Sequence, residues 1–173
     1  LVNDLLTVNR IESNRLVLAP SAFWMGNLIK KIIADNAFFA NASHISINLE
    51  EKKNTPPVYA DAHHIRWAVE NLLTNAIRYS SPRTSVAVRI NKEKTGVRVD
   101  ITNHGMPILQ SDAARIFEKF FRANNAQQKH VNGSGLGLFI AKAVVEASGG
   151  AIGFVSEQSG KTTFWFTLPH PKK

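Results

Sequence analysis

The 173-residue chain contains no cysteine, and none of its apolar runs approaches the length of a membrane span. Without cysteine it can form neither a disulfide framework nor a thiolate zinc site. A transmembrane helix needs about 20 consecutive apolar residues, and the sequence offers no such run. What is present, 44% hydrophobic and 20% charged residues, is typical of a globular domain and excludes a disordered tail.

Acidic residues are scarce relative to basic ones. The 13 Asp and Glu residues face 21 Lys and Arg residues, which gives a formal net charge of +8. Such an excess suits nucleic acid, acidic surfaces or phosphorylated ligands, and charge alone does not choose among them. Because no platform of interleaved aromatic and basic residues accompanies the charge, we do not expect nucleic acid as a partner.

Hydrophobic periodicity predicts an α+β fold. The predicted helices cover the opening segment, about 22–41, the stretch between Asp61 and Ser80, and about 136–148; the predicted strands cover about 45–50, 58–60, 86–90, 97–101, 151–156 and 162–168. Asp61 is the expected N-cap of the strongest helix. This order favours a two-layer α/β sandwich, in which helices cover one face of a mixed, mostly antiparallel sheet.

A polar stripe on the strongest helix is the first candidate site. Asn71, Asn75 and Arg78 follow each other at i, i+4 and i+7, with Tyr79 beside them. Asparagine is a mediocre helix former, so two of them one turn apart are unusual. Amide oxygens suit Mg²⁺ and a guanidinium suits phosphate, although a stripe of this kind taken alone is more often a solvated helix edge.

Two further segments could approach a ligand. Residues 133–138 (GSGLGL) precede a helix, and glycines there would let backbone N–H groups reach an anion. Asn103 and Gly105 follow a strand, where a side chain can point into a cleft. Each segment alone is also explained as an ordinary turn. Between them, residues 106–132 have weak periodicity, and a loop of that length is usually functional or mobile.

Taken together, these segments resemble the ATP-binding catalytic domain of bacterial sensor histidine kinases, within the superfamily of gyrase-type topoisomerases and large heat-shock chaperones. Residues 71–80 (NLLTNAIRYS) resemble the N box, 116–122 (IFEKFFR) the F box and 133–138 the second glycine box. Residues 162–164 and 167–169 are similar to the closing strand. Residues 1–12 resemble the end of the second helix of the dimerization and histidine-phosphotransfer domain. The resemblance implies a Bergerat-type ATP-binding fold.

The resemblance also implies roles for individual residues. Asn75 would ligate Mg²⁺, while Asn71, near the phosphates, and Arg122, reaching the γ-phosphate, would be the catalytic residues. Residues 106–132 would form a lid, and the resemblance implies a phosphate-facing role for its basic residues Arg115, Lys119, Arg122 and Lys129. For Lys119 and Lys129 the alternative is a mobile lysine on a solvated loop. The full implied ATP site comprises Asn71, Asn75, Arg78, Tyr79, Asn103, Gly105, Ile108, Arg122, Gly133, Gly135, Leu136, Gly137, Leu138 and Thr162.

Two positions depart clearly from the family pattern, and a third, Lys161, departs less, since the closing motif usually has a glycine there. Asn103 stands where the family has the Asp that accepts a hydrogen bond from the adenine amine, and Pro107 replaces a glycine. An amide can still accept from the amine, but it lacks the stronger charge-assisted bond. Pro107 removes a backbone donor and stiffens the start of the lid. We therefore expect ATP binding to be retained but weakened, and the departures leave selectivity for adenine open. They also motivate an alternative, a degenerate kinase-like domain that serves as a signalling scaffold.

The expected domain organisation follows from the same resemblance. Residues 1–16 would be the end of a dimerization helix, and 17–173 the catalytic domain of an ATP-dependent protein-histidine kinase in a two-component system. None of the six histidines lies in the opening helix, so the phosphoacceptor is expected on an upstream helix and this chain is not expected to autophosphorylate alone. Expected partners are ATP or ADP, the kinase's own dimerization helices in a homodimer, and a response regulator receiver domain. The domain would be cytoplasmic, in a parent protein anchored in the cell membrane.

Overall fold

The computed structural model describes residues 2–13, 15–123 and 133–171. The helices are α1 (Val2–Glu12), α2 (Met25–Asp35), α3 (Ala37–Ala42), α4 (Ala62–Tyr79) and α5 (Gly137–Ala147). The strands are β1 (Ser21–Phe23), β2 (Ser46–Glu51), β3 (Val58–Ala60), β4 (Ser85–Lys92), β5 (Gly96–His104), β6 (Ile152–Ser156) and β7 (Lys161–Pro169).

Five strands form a mixed sheet in the order β2-β4-β5-β7-β6. Only β2 and β4 pair in parallel; the remaining neighbours in this sheet are antiparallel. Helices α4 and α5 pack against each other, and α4 lies against the central strand β5. The predicted α+β sandwich with a mixed, mostly antiparallel sheet is therefore confirmed.

The core lies between the sheet and these helices. Along β5, Val97, Val99 and Ile101 are almost fully buried and alternate with the partly exposed Arg98 and Asp100, as expected for a sheet with one covered face. The inward-facing row of β5 continues beyond its apolar residues to a polar one, Asn103. This change from apolar to polar marks the end of the sheet at which the candidate site lies.

Helix α4 begins as predicted at Asp61. The carboxylate accepts hydrogen bonds from the backbone N–H groups of His63 and His64, at 2.9 and 3.1 Å, which caps the helix. Its second oxygen accepts from the N–H of Ala19 at 2.8 Å and therefore fastens the segment before β1 to the same helix end. Burial would raise the pKa of Asp61, but the hydrogen bonds from Ala19 and His64, together with the His64 imidazole, outweigh burial and lower the pKa to about 2.

The prediction of one helix over 22–41 is wrong at its start and in its middle. Residues 21–23 form β1, which pairs antiparallel with β3. The helical stretch is interrupted at Asn36, whose backbone N–H and side-chain Nδ2 both donate to the carbonyl oxygen of Ile32, at 3.1 and 2.8 Å. Asparagine ends helices readily because its side chain competes for backbone partners. A separate short helix, α3, follows.

Helix α1 lies against α5. Val8 is 5% exposed and Ile11 packs against the core, whereas Leu5, one turn before Val8, is 44% exposed. The later part of the helix therefore supplies its buried face. At its end, Glu12 pairs with Lys119, which belongs to the segment predicted to form a lid, called the lid segment below. Among the described residues, no helix is both long and apolar enough to cross a membrane.

Candidate functional site

A cavity of about 290 Å³ opens between α4, the end of β5, the start of β7, the lid segment and residues 133–138, called the glycine-rich loop below. Twelve of the predicted site residues line it together: Asn71, Asn75, Arg78, Tyr79, Asn103, Ile108, Arg122, Gly133, Gly135, Gly137, Leu138 and Thr162. Residues far apart in the sequence thus share one cleft of the size typical for a small-molecule site. Residues 124–132 of the predicted lid, with Lys129 among them, lie outside the described residues.

Two predicted site residues do not line the cavity. Gly105 lies where β5 passes the end of α4, and a Cβ there would be 2.0 Å from the carbonyl oxygen of Tyr79. Gly105 is therefore required for the close approach of the two backbones. It supports the position of Tyr79 beside the cavity without lining the cavity itself. Leu136 is fully buried and belongs to the core.

Several lining residues were not among the predicted site residues: Thr74, Ala76, Met106, Pro107, Ile116, Phe121, Ala123, Ser134 and Phe164. Thr74 lies at i+3 from Asn71, on the same helix face, so helical spacing could have found it. Phe164 follows Thr162 at i+2 on β7, so strand alternation could have found it as well. Ile116 and Phe121 belong to the F box segment, but their weak periodicity gave no direction for their side chains.

On α4, the amide of Asn71 is held in a defined orientation. Its Nδ2 donates to the carbonyl oxygen of Trp67 at 3.0 Å. Its Oδ1 lies so close to Gly137 that a Cβ on that glycine would be 2.6 Å away. The first turn of α5 therefore packs directly on Asn71, which brings the start of α5 and the polar face of α4 to the same wall of the cavity. The N-terminus of a helix favours negative charge.

The glycine-rich loop is shaped by Gly135, whose φ of +68° is readily accessible only to glycine. Its carbonyl oxygen accepts a hydrogen bond from the N–H of Phe120 at 3.0 Å. A Cβ at this position would lie 2.7 Å from the carbonyl carbon of Phe120. The loop and the lid segment are thus in direct backbone contact beside the cavity.

At the other end of the cavity, Asn103 and Thr162 face each other across β5 and β7 and are each 3% exposed. The hydroxyl groups of Thr162 and Ser156 are 2.7 Å apart, and Ser156 Oγ also accepts from the N–H of Ile108 at 2.9 Å. This chain of hydrogen bonds fixes the start of the lid to the sheet. The Asn103 Nδ2 is buried and has no hydrogen-bond partner among the described residues.

The charged residues that line the cavity are both cations. Arg78 and Arg122 contribute to its wall, and no carboxylate does among the residues that the structure describes. Two other basic residues of the lid segment point elsewhere. Arg115 pairs with Glu118 at 3.1 Å, and Lys119 pairs with Glu12 of α1, so a phosphate-facing role is not supported for either. The site therefore suits a polyanion held by arginines and backbone donors.

The donor set can also be tested against Mg²⁺. The described residues contain no group of three or more His, Asp or Glu side chains that could hold a metal ion by themselves. Asn75, one turn from Asn71 on the cavity wall, offers a neutral oxygen of the kind that Mg²⁺ accepts. Because Mg²⁺ is usually bound through few protein ligands together with phosphate oxygens and water, the residues fit an ion that arrives with its ligand.

The sequence profile of the family described as "Histidine kinase-, DNA gyrase B-, and HSP90-like ATPase" matches residues 60–172. The chain belongs to this family. The matched segment extends from the end of β3 to the end of β7 and so contains every element that lines the cavity. The resemblance drawn from the sequence is confirmed.

Similar proteins include a sensor histidine kinase and other sensor proteins. The chain is 30% identical to the sensor histidine kinase CusS of Escherichia coli (strain K12) over 169 residues, which cover 98% of this chain and 35% of CusS. It is 33% identical to the heme sensor protein HssS of Staphylococcus saprophyticus over 168 residues, 97% of this chain and 35% of HssS. The sensor protein GacS of Pseudomonas syringae is 28% identical over 177 residues, 99% of this chain and 20% of GacS. The chain thus spans between about a fifth and a third of these relatives.

Solved structures share the fold. Full-length ShkA in complex with AMPPNP superposes with a TM-score of 0.85 at 25% identity, over 99% of this chain and 35% of that one. The mycobacterial sensor histidine kinase MprB superposes with a TM-score of 0.73 at 30% identity, over 90% of this chain and all of the MprB chain. Both comparisons agree with the family assignment.

Proposed function

We propose that this chain is the nucleotide-binding catalytic domain of a two-component sensor histidine kinase. It would bind Mg-ATP and donate the γ-phosphate to a histidine on a separate dimerization helix. The observation that carries the proposal is the meeting of Asn71, Asn75, two arginines and the glycine-rich loop around one cavity. The full-length relative ShkA was solved with AMPPNP, which supports a nucleotide as the ligand.

The triphosphate would lie along the wall formed by α4, the glycine-rich loop and the start of α5. Gly135 and Gly137, whose missing side chains leave room for Phe120 and Asn71, would offer backbone N–H groups to the phosphates, and the N-terminus of α5 would add the positive end of its dipole. Arg122 from the lid and Arg78 from α4 would balance the negative charge. These groups orient and neutralise the phosphates, which is the main contribution of a protein to phosphoryl transfer.

Asn75 would hold Mg²⁺, and Asn71 would lie near the phosphates. Mg²⁺, when bound, neutralises charge that develops on the phosphate oxygens. The contact between Asn71 and Gly137 fixes one side of this region before any ligand arrives. Such preorganisation reduces the entropy lost on binding.

The base would lie at the opposite end of the cavity, between Tyr79, Asn103 and Thr162. Asn103 would hydrogen-bond the base edge from the floor of the site. Its buried, unpartnered Nδ2 supports a ligand at this point, because an unsatisfied buried donor is unfavourable. The expected macromolecular partners are the dimerization helices of the same kinase and a response regulator receiver domain.

The proposal is tested by calorimetry with ATP and ADP, with and without Mg²⁺. We expect both nucleotides to bind, and Asn75→Ala to weaken Mg-ATP by at least about tenfold, which corresponds to about 1.4 kcal/mol. Asn48→Ala, on the exposed side of β2, is the matched control and should change nothing. If neither nucleotide binds at millimolar concentration and Asn75→Ala has no effect, the proposed function is wrong.

A degenerate, kinase-like signalling scaffold is the second candidate. It is favoured by the loss of a carboxylate at Asn103 and by Pro107 on the cavity wall. A scaffold predicts that nucleotide binding by the unaltered chain is severely weakened and that Asn103→Asp markedly improves it. A catalytic domain predicts measurable binding by the unaltered chain.

A further inference from the structure

Asn103 is a neutral, buried side chain at a position where the chain could read a base. It ends the inward-facing row of β5, is 3% exposed and lines the cavity. Its Nδ2 has no hydrogen-bond partner among the described residues. A buried donor of this kind is unfavourable unless a ligand or water accepts from it.

An amide differs from a carboxylate in what it can present to a ligand. A carboxylate only accepts hydrogen bonds, whereas an Asn side chain offers one acceptor and one donor edge. Turning the amide by 180° about its last bond exchanges the two. No described residue accepts a hydrogen bond from the Nδ2 of Asn103. A bond from Nδ2 therefore does not hold the amide in one of its two orientations.

The neighbouring hydroxyl groups can adapt in the same way. Thr162, which faces Asn103 across the strands, shares a hydrogen bond of 2.7 Å with Ser156 in which either oxygen can be the donor. Hydroxyl hydrogens rotate to suit their partners. Neither the hydroxyl group of Thr162 nor that of Ser156 is therefore fixed as the donor of this hydrogen bond.

Purine bases fall into two classes by the groups that they present to such an amide, the substituent at position 6 and the neighbouring ring nitrogen. Adenine presents an amino donor beside a ring-nitrogen acceptor. Guanine and hypoxanthine present an oxo acceptor beside a ring N–H donor. One orientation of the Asn103 amide matches the first edge, and the other orientation matches the second. A carboxylate accepts from the adenine amine but repels an oxo group at the same place, and the ring N–H is the only donor that a 6-oxopurine would offer it at this edge.

Resting on the proposed function, we propose that this chain binds 6-oxopurine nucleotides as well as adenine nucleotides, with Asn103 as the specificity-determining residue. The phosphate-binding wall formed by α4 and the glycine-rich loop serves either base equally. The donor γ-phosphate would then come from ATP or from an inosine or guanosine triphosphate.

Calorimetry with Mg²⁺ and ATP, inosine triphosphate or guanosine triphosphate tests this inference. The unaltered chain should bind inosine triphosphate within about tenfold of ATP. Asn103→Asp should bind ATP more tightly and should weaken inosine triphosphate by about 100-fold relative to ATP, because buried groups left unpaired discriminate strongly. Asn48→Asp adds the same charge on the exposed side of β2 and should leave the ratio unchanged.

The outcomes separate this inference from the proposed function. If the unaltered chain binds ATP but binds both 6-oxopurine nucleotides more than about tenfold more weakly, the inference is overturned and the proposed function stands. If no nucleotide binds, both are overturned. The ratio of the affinities of the unaltered chain for ATP and for the 6-oxopurine nucleotides tests the inference even if Asn103→Asp fails to fold.

Discussion

The backbone N–H of Phe120 donates a hydrogen bond to the carbonyl oxygen of Gly135 at 3.0 Å, and both residues have a left-handed φ, +61° and +68°. This pair joins the lid segment to the glycine-rich loop. A left-handed conformation is costly for a bulky residue such as Phe120 and easy for glycine. The contact therefore depends on Gly135 in two ways, through its backbone angle and through the space that a Cβ would fill.

We expect Gly135→Ala to lower both stability and nucleotide affinity. A left-handed alanine costs about 1–2 kcal/mol, and its Cβ would lie 2.7 Å from the carbonyl carbon of Phe120. Thermal unfolding and calorimetry measure the two effects. Gly149→Ala is the matched control, because Gly149 has a φ of +76° and its nearest neighbour for a Cβ is 3.8 Å away. Equal affinities of the two variants would contradict a role of this contact in binding.

Gly137→Ala should separate stability from binding. Gly137 lies in the first turn of α5 and has no left-handed φ, so alanine should not strain the helix and should favour it by up to about 1 kcal/mol. Its Cβ would, however, lie 2.6 Å from the Oδ1 of Asn71 and displace that amide. We therefore expect an unchanged or higher melting temperature together with weaker Mg-ATP binding.

A double-mutant cycle checks that this loss acts through Asn71. Asn71→Ala should weaken binding in the unaltered chain and have little further effect in Gly137→Ala, since residues in contact are not additive. If the two losses add in full, Gly137 affects binding by another route.

The elements with strong periodicity were predictable from the sequence. Helix α4 begins at the predicted cap, Asp61, and its polar stripe reaches the cavity because helical spacing places Asn71, Asn75 and Arg78 on one side. The second glycine box also reaches the cavity. These features are local, so spacing along the chain was enough to find them.

Features that depend on distant partners were not predictable. The strand β1 exists because it pairs with β3, which follows much later in the chain, and its three residues carry no periodicity of their own. Lys119 was expected to face phosphate but pairs with Glu12, which lies 107 residues earlier. The sequence shows that Lys119 is a cation, but only the packing of α1 shows that its anionic partner is Glu12.

The hydrogen bond from Ile108 to Ser156 predicts a local change in lid mobility. Ser156→Ala would remove the acceptor at 2.9 Å and the partner of Thr162 at 2.7 Å. A lost hydrogen bond of this kind costs about 1 kcal/mol. Hydrogen exchange of the amides at the start of the lid should become faster, and nucleotide should dissociate sooner.

Ser159→Ala serves as the control for that change. Ser159 lies in the exposed turn between β6 and β7, and its hydroxyl bonds to Glu157 alone among the described residues. The substitution should leave exchange in the lid unaltered. Unchanged exchange in Ser156→Ala as well would mean that the lid is held by other contacts.

The low pKa of Asp61 gives a prediction for stability against pH. Burial opposes ionisation, but the N–H groups of Ala19 and His64 lower the pKa from 3.8 to about 2. The resulting stability, about 2 kcal/mol by linkage, is fully present above pH 3.8 and is lost as the pH falls through about 2.

The substitution Asp61→Asn keeps a capping oxygen without the charge. Denaturant unfolding should therefore show the advantage of the unaltered chain over Asp61→Asn shrinking by about 2 kcal/mol between about pH 5 and pH 2. A constant difference across that range would show that the charge of Asp61 does not stabilise the fold.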